Sequence, residues 1–258
     1  MQTFSYESIH IHYERVGSGQ PILLLHGFLE DHSMWNSLDA SFTEWGFEAI
    51  KVDLPCHGLS RFDGNSCSMA DMAMCLNHFL NDLQIDNPFV IGHSMGGYVG
   101  LELLRLRPIR LSLLHSNFWN DPESKKRDRD RVINIVKRSK EIFIREAIPH
   151  LFYGENKQKC RPVIDKIISE AKHIPANEIA ASTIGLRDRE PAYDLFDHHQ
   201  IDIIHGEMDP ILPMDLFESE VAKLGQKPPI HIIPDCGHMS IWESPEFLIT
   251  TLKNILIK

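Results

Sequence analysis

The chain has 258 residues, with 26 Lys+Arg against 36 Asp+Glu and a formal net charge of −10. Hydrophobic residues make up 43% and charged residues 24%, a globular balance that argues against a disordered chain. The acidic excess disfavours a nucleic-acid partner, and the length suits one domain with an inserted lobe, large enough to need no disulfide or metal for its core. The first elements in chain order are strands. Ser8–Glu14 alternates until Gly17-Ser18-Gly19 breaks it, and Ile22–Leu25 is an apolar run suited to burial on both faces. Helical spacing over 33–45 is followed by a strand at Phe47–Val52. A helix follows over 68–83, with Ser68 as N-cap and Asp71 as its capping-box partner. Phe89–Ile91 is a strand that stops at Gly92, a helix runs over 95–107, and Leu111–Leu114 is again a strand. Such alternation predicts a mostly parallel sheet covered by helices on both faces.

From residue 117 to 190 the signals are helical only, notably over 130–147 and 161–173. Alternation resumes with a strand at Ile201–Ile204, a helix over 215–224, a strand at Ile230–Ile233 and a helix over 245–257. The order predicts a core over 1–116 and 191–258, interrupted by a helical cap over 117–190. Residues 121–145 carry a net +4, and the rest of the chain −14. The run Lys125 to Arg131 is read as a solvated helix start; the sharper alternative sends one or two of its arginines to an anionic substrate.

The five cysteines, Cys56, Cys67, Cys75, Cys160 and Cys236, include no CxxC pair, so a zinc site or disulfide framework is not expected. Residues 1–7 show no basic stretch leading into an apolar one, and no apolar run approaches the ~18 residues of a membrane span. A cytoplasmic protein without a membrane partner is the expectation.

Gly92-His93-Ser94-Met95-Gly96 fits G-x-S-x-G between a strand and a helix. That context calls for a tight turn that exposes the Ser94 hydroxyl, with the Met95 N–H available to a developing oxyanion. Here the chain resembles the α/β-hydrolase superfamily, the small serine hydrolases with a helical cap. Leu25-His26-Gly27-Phe28 resembles the family's oxyanion loop, which implies a second donor at the Phe28 N–H. Asp53 to Ser60 resembles its D-x-x-G-H-G-x-S turn, with Cys56 where glycine is usual. The implied fold is a mostly parallel sheet of about eight strands flanked by helices.

The family's chain order is nucleophile, acid, histidine. His231 and His238 are the late histidines; His231 sits in an alternating strand, and His238 in a loop at the edge where Ser94 is expected. Glu207, Asp209 and Asp215 are candidate acids after the Ile201–Ile204 strand. Asp209 is preferred because His205 to Pro210 resembles the family's G-x-x-D-P loop, while Asp215 suits a helix start. Tyr98, Phe118 and Trp119 are candidates for the substrate pocket. His10 and His12 share a strand face with no third ligand placed beside them, so no metal and no cofactor are expected. The implied activity is hydrolysis of a small ester, thioester or lactone through an acyl-enzyme on Ser94. The alternative is a lyase of the menaquinone-pathway synthase type using the same residues for proton abstraction. That family usually carries an arginine where this chain has Tyr98. A non-enzymatic ligand receptor is the third reading.

Overall fold

The apolar runs become the strands of a single sheet in the computed structural model, which describes residues 2–7 and 9–257. Met1, Ser8 and Lys258, and with them the first residue of the strand read at Ser8–Glu14, lie outside the described residues. The strands are β1 (Gln2–Tyr6), β2 (Ile9–Gly17), β3 (Gln20–Leu25), β4 (Phe47–Val52), β5 (Arg61–Phe62), β6 (Phe89–His93), β7 (Arg110–Leu114), β8 (Ile201–Gly206) and β9 (Ile230–Ile233). Their order is β1-β2-β4-β3-β6-β7-β8-β9, with β5 paired to β2. The pairs that β2 makes with β1, β4 and β5 are antiparallel, and every pair from β4 through β3 to β9 is parallel. Among the described residues the sheet has nine strands, close to the eight or so that the resemblance implied: the seven read from the sequence together with Gln2–Tyr6 and Arg61–Phe62, which it had not placed.

Both faces of the sheet are covered, which is why β6 and β8 are buried along their whole length. The helices are α1 (Asp39–Glu44), α2 (Met69–Asp82), α3 (Met95–Leu106), α4 (Glu123–Ala147), α5 (Arg161–Ala171), α6 (Ala176–Arg187), α7 (Met214–Val221), α8 (Ser240–Glu243) and α9 (Pro245–Leu256). Met72, Leu76 and Phe79 of α2 pack with Val99 and Leu103 of α3 on one face. Phe42 of α1 packs with Leu248, Leu252 and Ile255 of α9 on the other. Each such burial contributes roughly 1.5–3 kcal/mol relative to an exposed side chain. Ser68 caps α2 as expected: its hydroxyl accepts the Asp71 N–H at 3.0 Å, and the Asp71 carboxylate accepts the Ser68 N–H at 2.8 Å.

Between β7 and β8 the regular structure is helical, with α4, α5 and α6 and short 3₁₀ turns. A third apolar cluster joins this stretch to the rest of the chain, through Ile144, Ile148 and Ile164 against Leu29 and Met239. The helix read as 130–147 starts earlier, at Glu123, and bends at Ser139, whose φ of −158° and ψ of 76° are not helical. The segment 33–45 forms a 3₁₀ helix, His32–Leu38, before α1, instead of one α-helix. Among the described residues no helix is long and apolar enough to cross a membrane.

Candidate active site

Ser94 joins β6 to α3 with φ +49° and ψ −112°, a region that a residue with a Cβ enters only under strain. Three contacts hold it there. Its N–H donates to Leu114 O at 2.9 Å, and its own carbonyl accepts from the Gly97 N–H at 3.0 Å and the Ser116 hydroxyl at 2.7 Å. The glycines of the motif let the chain close this tightly. A Cβ on Gly92 would meet Gly96 O at 2.4 Å, and one on Gly96 would meet Leu25 O at 2.4 Å. The turn therefore presses against the oxyanion loop that follows β3.

The loops after β8 and β9 come together at Gly206 and Gly237, where a Cβ on Gly206 would stand 2.2 Å from Gly237 O. This contact brings Asp209 and His238 to one place. His238 Nδ1–H donates to Asp209 Oδ2 at 2.7 Å, and Asp209 Oδ1 accepts the N–H groups of Ile211 and Leu212 at 2.8 and 3.0 Å. Burial alone would raise the Asp209 carboxyl; the attraction of His238 and hydrogen bonds from His115 and His238 hold it well below the ordinary carboxylate range. The outer nitrogen, His238 Nε2, has no hydrogen-bond partner among the described residues. Ser94 and His238 border the same cavity of about 500 Å³, which is lined mainly by apolar groups. The N–H groups of Phe28 and Met95, which border it as well, donate to no acceptor among the described residues. Met95 is the first residue of α3, where helix geometry supplies no acceptor.

The other candidates lie elsewhere. Glu207 accepts the Asp235 N–H, Asp215 sits in the first turn of α7, and His231 pairs with Asp202 at 3.2 Å. Tyr98 lines the cavity, but Phe118 and Trp119 do not. Those two are buried among Tyr193 and Phe196 in the core, so the expectation that they form the pocket is corrected. Chain position placed them near the cleft, but burial drew their large apolar faces inward, away from it.

Two histidines that sequence reasoning passed over sit against this group. His115 Nδ1 lies 3.5 Å from Asp209 Oδ2, and its Nε2 is 2.7 Å from Ser240 Oγ. Burial pushes the His115 imidazole down to about 3, so it is neutral at pH 7. His115, Asp209 and His238 carry donor atoms of metal-ligand type within 4.8 Å of one another, with His238 Nδ1 bonded to Asp209. His93, between Gly92 and Ser94, has Nδ1 3.0 Å from Glu30 Oε2 and Nε2 2.9 Å from the His238 carbonyl. Both partners are acceptors when Glu30 is ionised, and only an imidazolium donates from both nitrogens. Burial would lower the His93 pKa, yet Glu30 beside it raises it above the ordinary value. Glu30 is pushed up by burial but held below its ordinary range by His93. Glu30 Oε2 also accepts the Gly27 N–H at 2.6 Å. One buried ion pair thus ties the oxyanion loop, the serine turn and the histidine loop together.

Glu30→Gln is expected to destabilise the fold by about 3–5 kcal/mol near neutral pH, because it strands a buried charge. The raised His93 pKa contributes stability below the unfolded value of ~6.5 and loses it as pH rises through the folded pKa. The lowered Glu30 pKa contributes above ~4.3 and is lost as pH falls through its folded value. The difference between wild type and variant should therefore peak at about pH 4.5–6.5. Urea unfolding across pH 4–9 measures it; a difference that is flat with pH removes the ion pair.

Residues 22–251 match a family model described as the alpha/beta hydrolase family. The chain is 25% identical over 261 residues to the 2-hydroxy-6-oxononadienedioate/2-hydroxy-6-oxononatrienedioate hydrolase of Paraburkholderia xenovorans, covering 92% of this chain and 87% of that protein. It resembles the structure of a thermophilic esterase from Thermogutta terrifontis, solved with malate bound, at a TM-score of 0.88 and 28% identity over 96% of this chain and 93% of that one. An enol-lactonase from Burkholderia xenovorans shares the fold, at a TM-score of 0.88 and 16% identity over 100% of each chain. With the matched segment spanning nearly the whole sheet and both loops that carry Asp209 and His238, this chain belongs to the alpha/beta hydrolase family.

Proposed function

We propose that the protein is a serine hydrolase that cleaves a small ester, thioester or lactone through an acyl-enzyme on Ser94. The observation that carries this reading is the arrangement around one cavity. Ser94 sits at a strained turn, and His238 is anchored on Asp209 at 2.7 Å with its outer nitrogen unpartnered. His238 Nε2 takes the Ser94 proton as Oγ attacks the substrate carbonyl. The tetrahedral oxyanion is met by the Phe28 and Met95 N–H groups, each such donor contributing about 3–4 kcal/mol at the transition state. His238 then returns its proton to the departing alkoxide or thiolate, leaving the acyl group on Ser94. Water, deprotonated by His238, attacks the acyl carbon and releases the acid and the free serine. Asp209 keeps the proton on Nδ1 throughout and stabilises the imidazolium.

In this reading the stretch 117–190 is a cap that excludes water from the cleft. Val132, Phe143 and Ile148 from that stretch line the cavity, in support of it. Similarity to an esterase and to a dienedioate hydrolase supports hydrolysis as the class of reaction. A fluorophosphonate probe should label Ser94 alone, and Ser94→Ala should abolish the labelling. Label that persists in the variant places the nucleophile on another residue and ends this reading.

A further inference from the structure

The cavity lining is mainly apolar; its polar groups are Ser94, His238 and Tyr98, the mutually paired Glu30 and His93, and Lys125, Asp128 and Arg129 from α4. Lys125 and Arg129 are four residues apart on α4, which puts them on one helical face. Asp128 is engaged by Arg131 at 2.7 Å. Lys125 has neither hydrogen bond nor ion pair among the described residues. Arg129 donates its Nε–H to the buried Asp121 at 2.6 Å, and its two terminal nitrogens have no partner among the described residues. The second Asp121 oxygen is taken by Arg189 at 2.9 Å, with the Arg189 guanidinium lying over the Tyr98 ring. One carboxylate therefore faces two arginines, and with Lys125 the group keeps an excess of two positive charges. Lys125 stands in the first turn of α4, where the helix dipole opposes a cation and favours an anion.

Asp121 does more than balance charge. By holding Nε it fixes the guanidinium plane, so the terminal nitrogens of Arg129 form a rigid fork, suited to bidentate binding of a carboxylate. The apolar wall beside the fork suits a short hydrocarbon chain. We infer that Arg129 and Lys125 form a carboxylate-binding subsite, and that the substrate is an ester or thioester carrying a free carboxylate on a short aliphatic chain. This inference rests on the proposed serine hydrolase and narrows its substrate class. The neighbouring cations take different roles. Lys125 is exposed, as Arg127 and Arg131 are, but it borders the cavity, whereas Arg127 and Arg131, the latter paired with Asp128, do not and belong to the solvated helix face.

The test uses the Ser94→Ala protein, which can bind but not turn over. Calorimetry compares monomethyl adipate with methyl hexanoate, the same chain with and without the carboxylate. 4-Acetoxybutyrate against butyl acetate repeats the comparison with the charge on the alcohol side. In at least one pair the anion should bind ten-fold or more tighter. Arg129→Gln and Lys125→Gln should each cut that ratio several-fold, and Arg129→Lys should restore it only in part, since it keeps the charge but not the fork. Arg127→Gln, at an exposed position outside the cavity, should leave it intact. Equal binding within both pairs, no binding of either anion, or a preference that survives both Arg129→Gln and Lys125→Gln overturns the subsite. Fluorophosphonate labelling of the wild-type Ser94 separates this failure from failure of the hydrolase reading: a labelled enzyme without anion preference loses only the subsite.

Discussion

Ser94→Ala and His238→Ala are each expected to lower kcat by about 10⁵–10⁶-fold, and the double substitution to lower it little further. In the proposed reaction the two side chains act as one proton-transfer unit. His238 Nε2 has no hydrogen-bond partner among the described residues and is left to take a proton, which in the proposed reaction comes from Ser94. Ser94 without His238 keeps its proton and is a poor nucleophile at neutral pH. Each loss is worth about 7–8 kcal/mol of transition-state stabilisation, at 1.36 kcal/mol per decade. Single-turnover kinetics on a reactive ester, with product release removed from the rate, measures both variants and the double. Independent losses that multiply in the double variant would mean that the two residues work in separate steps. A stability control accompanies this test. Ser94 is strained at φ +49°, a region glycine enters freely, so Ser94→Gly should abolish turnover and yet stabilise the fold by about 1 kcal/mol.

The sequence made the sheet legible where burial on both faces leaves unbroken apolar runs, as at Ile22–Leu25 and Ile201–Ile204. Local chemistry was equally readable at Ser68, whose capping partner lies three residues away. The edge strand β1 was not, because its residues are mostly exposed and Gln2-Thr3-Phe4-Ser5-Tyr6 carries only a weak alternation. The short motifs around Ser94, Asp209 and His238 could be recognised one by one. Long-range pairs could not. Glu30 and His93 are 63 residues apart, and neither segment alone announces an ion pair. His115 reaches Asp209 only because β7 lies beside β8. Likewise the charge run on α4 did not reveal which of its cations border the cavity. That depends on the helix starting at Glu123 and on Asp121 accepting Arg129. Periodicity reports which face is apolar, but a charged residue at the mouth of a cleft has no pattern of its own.

Asp209→Asn should lower kcat by about 10⁴-fold while the fold survives, a loss that comes from the wrong histidine tautomer. Geometry dictates how the amide must lie. Asp209 Oδ1 accepts two backbone N–H groups, from Ile211 and Leu212, so an amide nitrogen turned that way would face two donors. The amide oxygen therefore stays on the loop, and the NH₂ points at His238 Nδ1 and His115 Nδ1. It donates to His238 Nδ1, which moves the imidazole proton to Nε2. His238 then presents a proton to Ser94 where an acceptor is needed. Stability should respond with a definite sign. The Asp209 carboxyl is held well below its ordinary range, so the ionised form contributes stability above the unfolded value of ~3.9, lost as pH falls through the folded pKa. Urea unfolding should show wild type more stable than Asp209→Asn at pH 7, with the gap narrowing progressively below about pH 4. Glu207→Gln and Asp215→Asn supply the comparison, since the first loses only its contact with the Asp235 N–H and the second only an acidic group in the first turn of α7. If either proves as severe as expected for Asp209→Asn, and Asp209→Asn itself stays within ten-fold of wild type, the acid that orients His238 is not Asp209.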